Sequence, residues 1–271
     1  MVNKIPVISI ITICYNNPSD LKITLKSVLN SSSVQEDYEI VVIDGSDNDS
    51  CQLVLNQFKQ LPIISVHEPD NGIYNAMNKG LKYVRGASVL FLNSGDSLHE
   101  SFDLNTFIDR FKMDLGNKII FGDVQHCVGS ATIIKSMSKV IHDEFWWTKT
   151  LPSHQSVFIP LEFYNSNNFD ESFKISADTK LMRCAFSKLT FVYFPSVISN
   201  FCLGGVSSNP GSVKKINTHM GELIKTKRIG KVSSCLLYIS LLRRLLLIRL
   251  LGLERYYKIV FFAKRVLGKL C

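Results

Sequence analysis

Val7-Ile8-Ser9-Ile10-Ile11-Thr12-Ile13-Cys14-Tyr15-Asn16 is a β-branched run without polar alternation that ends on two polar residues. A strand buried on both faces reads this way, and such strands belong to parallel sheets. Asn17-Pro18 then predicts a helix start, with Asn17 as N-cap and Pro18 at the first helical position. Leu21, Leu25, Val28 and Leu29 follow at helical spacing. The same syntax recurs downstream. Strands are expected at Glu39–Ile43, Ile63–His67 and Ser88–Leu92, separated by helices at Ser50–Gln60 and Asn75–Val84. Alternation of this kind predicts an α/β fold built on a doubly wound, mostly parallel sheet. Beyond it the pattern is mixed, with strands at Lys118–Asp123 and Val157–Ile159 and a helix over Ala177–Ser187.

Ligands of open α/β sheets sit at the carboxyl ends of the strands. Here those ends carry Tyr15-Asn16, Asp44, Glu68-Pro69-Asp70-Asn71-Gly72 and Asn93-Ser94-Gly95-Asp96, all polar and turn-forming. No GxGxxG follows the first strand and no GxxxxGK[ST] occurs, which disfavours a dinucleotide site and a P-loop. Asp44 can accept hydrogen bonds from a base or ribose, and Asp96 can hold a hard cation that bridges two phosphates. Either could equally be a turn residue.

The 271 residues are 46% hydrophobic and 20% charged, a globular composition long enough for one large α/β domain and an appendage. The net charge of +8 is unevenly spread. Residues 1–210 hold 17 Lys+Arg and 21 Asp+Glu (−4), and residues 211–271 hold 14 and 2 (+12). The expected organisation is one large α/β domain over 1–210 and a basic helical tail over 211–271. Seven cysteines without CxxC spacing argue against a zinc or disulfide framework and for reduced thiols in a cytosol. The N-terminal residues lack a signal-peptide cleavage pattern, so the chain is expected to stay in the compartment where it is made.

Four ordered motifs resemble the family 2 inverting glycosyltransferases of GT-A fold that are common in bacterial surface-polysaccharide biosynthesis. They are the opening strand Val7–Asn16, Glu39-Ile40-Val41-Val42-Ile43-Asp44-Gly45-Ser46, the segment Glu68–Gly80, which resembles the family's Asn-x-Gly…Ala-x-Asn-x-Gly segment, and Phe91-Leu92-Asn93-Ser94-Gly95-Asp96. The resemblance spans roughly residues 5–205. It implies donor contacts from Thr12, Tyr15, Asn16, Asp44, Asn71, Gly72, Asn78, Ser94 and Asp96, with Asp96 also binding a divalent cation (Mn²⁺ or Mg²⁺). Many relatives carry two acids where this chain has Ser94-Gly95-Asp96, so the ribose-contacting acid is missing. Phe169-Asp170-Glu171-Ser172-Phe173 also resembles the family, whose catalytic base lies in an acid-containing pair opening a helix, here Ala177-Asp178. The local physics agrees: Ser176 is placed to cap the helix, and its dipole would favour an ionised Asp178 by about 0.3–1 kcal/mol. Trp146, Trp147, His154 and Gln155 combine aromatic faces with polar donors and are candidate acceptor contacts; packing is the alternative for the tryptophans. Gly204-Gly205-Val206-Ser207 resembles a glycine pair near the end of the family's catalytic domain.

No charge-free stretch in the tail reaches the ~20 residues a membrane span needs. As one helix over 243–269, Arg243, Arg244, Glu254, Arg255, Lys258, Arg265 and Lys269 fall within about 120°, with Arg249 and Lys264 outside that arc, and leave a broad apolar face; Gly252 can divide it in two. That pattern predicts an interfacial helix on the anionic inner face of the plasma membrane. Packing on the domain or against a homodimer partner is the alternative. The tail offers no polar reading face for nucleic acid. The resulting expectation is an inverting transfer from a nucleotide-diphosphate sugar, UDP favoured, to a glycan or polyprenyl-diphosphate-linked acceptor. A non-catalytic nucleotide-sugar- or lipid-binding module and a nucleotidyltransferase remain open at this point.

Overall fold

The computed structural model describes residues 5–32, 36–204, 211–225 and 231–266. Strand β1 (Ile8–Cys14) lies between β2 (Tyr38–Asp44) and β4 (Ser88–Phe91), with β3 (Ile63–His67) outside β2. All three pairings are parallel, with Ile10 opposite both Ile40 and Leu90. Ile8, Ile10, Ile11, Val41, Val42 and Ile43 are fully buried, as the unbroken β-branched runs require. Each such side chain contributes about 1.5–3 kcal/mol of hydrophobic stabilisation.

Helices α1 (Pro18–Asn30) and α2 (Ser50–Leu55) belong to one face and α3 (Ile73–Gly80) to the other. Pro18 opens α1 as expected, but Asn17 does not cap it with its side chain; its Oδ1 accepts the Tyr15 N–H instead, at 3.0 Å. Helix α3 starts two residues earlier than its expected bounds and ends four earlier. Gly72, at φ +114°, turns the chain into it through a conformation that favours glycine.

The second half of the sheet is mixed. After the short β5 (Ser97–Leu98) and α4 (Leu104–Phe111), β6 (Ile119–Val128) runs well past its expected end. It pairs with β7 (Ala131–Lys135) and β8 (Val157–Pro160) antiparallel and with β9 (Phe191–Cys202) in parallel. The continuous order is β3-β2-β1-β4-β8-β6-β9-β5. Helices α5 (Trp146–Lys149), α6 (Leu161–Tyr164) and α7 (Ala177–Lys188) complete this half.

Three helices follow: α8 (Val213–Lys225), α9 (Lys231–Leu251) and α10 (Leu253–Val266). Gly252, at φ +78°, breaks the expected single tail helix. Leu245 of α9 packs against Ile216, Met220 and Leu223 of α8, while Tyr257 and Phe261 of α10 pack on Val128 and Ile133 of the sheet. An outer face remains uncovered, with Leu250 71% and Phe262 69% exposed beside exposed Ile239, Leu246 and Ile259. Among the described residues no helix is long and apolar enough to cross a membrane. Lys269, counted in the basic stripe, and Gly205-Val206-Ser207 lie outside the described residues.

Candidate active site

A cleft of about 890 Å³ opens over the carboxyl ends of the parallel strands. Tyr15, Asp70, Gly72, Asn93, Ser94, Asp96, His154, Gln155 and Asp178 are among the residues that line it. The fold thus brings together segments from five separate regions, and the sheet order explains three of them. Strand β1 delivers Tyr15, the loop after β4 delivers 93–96, and β8, which pairs with β4, is preceded by His154 and Gln155.

The 93–96 loop is fixed by α1. Thr24 Oγ1 donates to the Asp96 carbonyl at 2.6 Å and accepts the Gly95 N–H at 3.0 Å. Gly95 sits at φ +98°, and a Cβ there would lie 3.6 Å from the Asp20 carboxyl carbon. Asp20 also lines the cleft, so an acid from the first turn of α1 stands beside the position where Ser94-Gly95-Asp96 lacks one. The motif reading missed Asp20. Its sequence cue is modest: an acid just inside a helix that starts at the cleft.

The Asp96 side chain is only 5% exposed. Oδ2 accepts from the Gln155 amide at 3.0 Å and Oδ1 from the Cys202 N–H at 3.2 Å. Burial, reinforced by the nearby Asp20 charge, pushes its carboxyl up to about 6 against the pull of those hydrogen bonds and of His154. Nearby, Asn93 Oδ1 and Ser94 Oγ are buried without a hydrogen-bond partner. An under-stabilised carboxylate beside two orphaned oxygens is a hard-donor set that fits a divalent cation such as Mg²⁺ or Mn²⁺. A second cluster, Cys14, Asp44 and Cys51, is closer-knit but buried and thiol-rich, so it does not suit such a cation.

Asp178, in the first turn of α7, faces the cleft with its side chain 17% exposed. His154 Nδ1 lies 3.2 Å from its Oδ2, and the Tyr74 hydroxyl donates to Oδ1 at 3.2 Å. Burial opposes the charge, but the His154 hydrogen bond and charge, the Thr179 N–H and Tyr74 together hold the carboxyl below its ordinary range. His154 responds in kind. Burial works against its charge, yet Asp178 and then Asp96 raise its pKa overall. Its Nε2 is 3.4 Å from the Asn93 amide, so the imidazole bridges the Asp96 loop and Asp178.

Other residues expected at the site lie elsewhere. Thr12 is fully buried within β1, where its hydroxyl donates to the Leu92 carbonyl at 2.9 Å. Asp44 is also fully buried, accepting from the Ser46 N–H at 3.0 Å and the Gln52 amide at 2.9 Å. Asn16, at φ +51°, is held by the Ser46 hydroxyl and Asn48 and shapes the turn after β1. Asn78 points away from the cleft and ties α3 to the Phe169 backbone and Glu171. Asn71 is exposed and bonds through its N–H to Asn75. Trp146 is 2% exposed and packs on Phe121, Phe186 and Phe191; it is a core residue without a free face for a sugar. Trp147 is half-buried and packs edge-on to Phe145. Gln155 stays at the cleft, where its amide donates to Asp96, and it also lines the neighbouring groove. Ser176 does not cap α7 with its own side chain; that hydroxyl donates to Glu222.

On the far side of His154 and Asp178 lies a second groove of about 320 Å³, with Lys135, Lys149, Thr179 and Arg183 in its wall. Asp178 therefore stands between two cavities.

The profile of Glycosyl transferase family 2 matches residues 9–172, more than half the chain. Over 96 residues the chain is 34% identical to the poly(ribitol-phosphate) beta-N-acetylglucosaminyltransferase TarP of Staphylococcus aureus, covering 34% of this chain and 29% of TarP. Over 122 residues it is 30% identical to a PGL/p-HBAD biosynthesis glycosyltransferase of Mycobacterium tuberculosis, covering 44% of this chain and 47% of that protein. The chain thus spans less than half the length of these curated relatives. Among solved structures, S. aureus TarS with UDP-GlcNAc superposes with a TM-score of 0.61 at 16% identity, covering 80% of this chain and 66% of that one. The mannosyltransferase PcManGT from Pyrobaculum calidifontis, with GDP-Man and Mn²⁺, gives 0.60 at 15% identity over 83% and 65%. At such identities the likeness establishes the fold, which is GT-A. The chain belongs to glycosyl transferase family 2.

Proposed function

We propose that the protein catalyses a single inverting displacement from a nucleotide-diphosphate sugar, with UDP-sugars favoured, to a hydroxyl of a lipid-linked glycan precursor. The observation that carries this reading is the convergence of Asp96 and Asp178 on one cleft at the strand ends, with His154 between them. The donor lies along the cleft floor near Tyr15, Asp20 and Ser94. Asp96, with Asn93 and Ser94 beside it, would hold a divalent cation, whose chemistry is to neutralise charge on the departing diphosphate.

Asp178 accepts the proton of the acceptor hydroxyl as that oxygen attacks the anomeric carbon. Hydrogen bonds and the His154 charge hold its carboxyl below the ordinary range, favouring the ionised form, and His154 and Tyr74 hold it in place. An acceptor in the groove lined by Lys135, Lys149 and Arg183 would bring its hydroxyl to Asp178 where the two cavities meet, and inversion requires that oxygen to approach the anomeric carbon opposite the departing diphosphate. TarS with UDP-GlcNAc and PcManGT with GDP-Man and Mn²⁺ support the donor class and the cation.

The exposed apolar face of α9 and α10, flanked by the exposed Arg243, Arg249, Arg255 and Lys258, supports peripheral binding to the anionic inner face of the plasma membrane, where a polyprenyl-linked acceptor resides. A panel of nucleotide sugars, assayed for released nucleoside diphosphate in Mn²⁺ and in EDTA, tests the assignment. Slow Mn²⁺-dependent hydrolysis of one donor is expected. Tight donor binding without any turnover would instead identify a non-catalytic binding module.

A further inference from the structure

Glu222 lies in α8, beyond the residues whose motifs mark the cleft, yet its carboxylate is 6% exposed and turned towards the catalytic half. Oε1 accepts the Lys174 N–H at 2.5 Å, and Oε2 accepts the N–H groups of Ile175 and Ser176 at 3.2 and 3.0 Å. The Ser176 hydroxyl adds a fourth bond at 2.9 Å. A buried carboxylate is costly unless donors surround it, and here three consecutive backbone N–H groups do so. These groups lie where α7 begins and where the Ser176 side chain leaves the helix uncapped. Lys174 and Ile175 line the donor cleft, and Asp178 follows in the next turn. Helix α8 is itself clamped from the other side by α9, through Ile216, Met220 and Leu223 against Leu245.

We propose that Glu222 is a positioning residue for Asp178: by anchoring the 174–176 backbone it fixes the entry of α7, and with it the reach of Asp178 to His154 and to the acceptor hydroxyl. Helix α8 then works as part of the catalytic body although it lies beyond residue 210. The inference rests on Asp178 being the base. A displacement of about 1 Å at such a group can cost on the order of 10²-fold in rate.

The test uses full-length Glu222→Gln and Glu222→Ala, with thermal melts, steady-state diphosphate release from the donor identified by the panel, and NMR titration of ¹³C-labelled histidine. Gln is isosteric but has one acceptor oxygen, so it keeps part of the anchor and folds where Ala fails. Folded Glu222→Gln is expected to lose roughly 10–100-fold in kcat with donor KM within about threefold. Its His154 midpoint should fall towards the ordinary histidine value as Asp178 moves away. Wild-type kcat and an unmoved His154 midpoint in the folded variant would overturn the proposal, as would a kcat loss with His154 unmoved. If the wild-type protein turns over no donor at all, the proposed function fails instead, and the His154 titration still decides whether Glu222 sets Asp178.

Discussion

His154 Nδ1 lies 3.2 Å from Asp178 Oδ2, and the opposite nitrogen of the same ring reaches the Asn93 amide at 3.4 Å. One imidazole therefore ties the proposed base to the loop that carries Asp96. It also separates the pH behaviour of the two acids. Asp178 is held low and Asp96 is pushed up to about 6, so of these two acids Asp96 is the one that changes charge near neutrality, beside an imidazole that Asp178 and Asp96 raise above its ordinary value.

The first prediction follows from that separation. Below about pH 6 a proton competes with the cation for Asp96, whereas Asp178 is still ionised. The Mn²⁺ concentration giving half-maximal activity should rise about tenfold per pH unit below that point, with saturating Mn²⁺ restoring the rate. Activity profiles at several Mn²⁺ concentrations check this. An acidic limb that Mn²⁺ cannot shift would assign the titration to another group.

Asp96 should also cost stability when no cation is present. Its folded pKa lies above the unfolded one, so the native state holds the extra proton between roughly pH 4 and 6. In that window the contribution of Asp96 to stability falls as pH rises, and above it the full penalty applies. Asp96→Asn removes the buried charge and should raise the metal-free melting temperature at pH 7.5. Recovery of on the order of 1 kcal/mol corresponds to about 2–4 °C. Mn²⁺-dependent donor binding should be lost in the same variant. An unchanged or lower melting temperature in EDTA would show that the Asp96 charge is well compensated.

Trp146→Ala separates core from acceptor site. The ring is enclosed by Phe121, Phe186 and Phe191, so its loss should cost about 3–5 kcal/mol of stability. Denaturant melts measure it. A stable variant with a raised acceptor KM would restore the sugar-binding role that the sequence suggests.

The tail is tested without truncation, because α10 packs on β6 and β7 and its removal would bare Val128 and Ile133. Leu246→Glu combined with Leu250→Glu and Phe262→Glu changes only exposed side chains. Flotation with anionic vesicles should lose the triple variant while its melting temperature stays within a few degrees. Equal flotation, or equal binding of the wild type to neutral and anionic vesicles, would contradict an electrostatically assisted interfacial face.

Much of this architecture was legible in the sequence. The unbroken Ile/Val runs at β1 and β2 could only be buried parallel strands, and the polar residues after them marked the binding edge. Motif order singled out Asp96 and Asp178, which the fold brings to one cleft, whereas His154 was read only as an acceptor contact and in the fold bridges Asp178 and Asn93. Residue type alone did not say which way a side chain faces, so Thr12 and Asn78 were assigned to the cleft although one is buried in its strand and the other bonded to the Phe169 backbone and the Glu171 carboxylate. Period-2 and period-3.6 patterns say nothing about a four-residue helix, so Trp146 had no readable face. Glu222 was hidden for a different reason. An acid in a basic segment looks solvated until the fold brings three N–H groups onto it from a distant loop.

The most direct measurement is donor turnover by Asp178→Asn against the wild type, with donor affinity determined in parallel. The account predicts that diphosphate release and sugar transfer fall by roughly 10²–10⁴, while the donor Kd in Mn²⁺ stays within a few-fold. Near-normal turnover in the variant would contradict it, because Asp178 would then be an ordinary helix-start acid and the base would lie elsewhere.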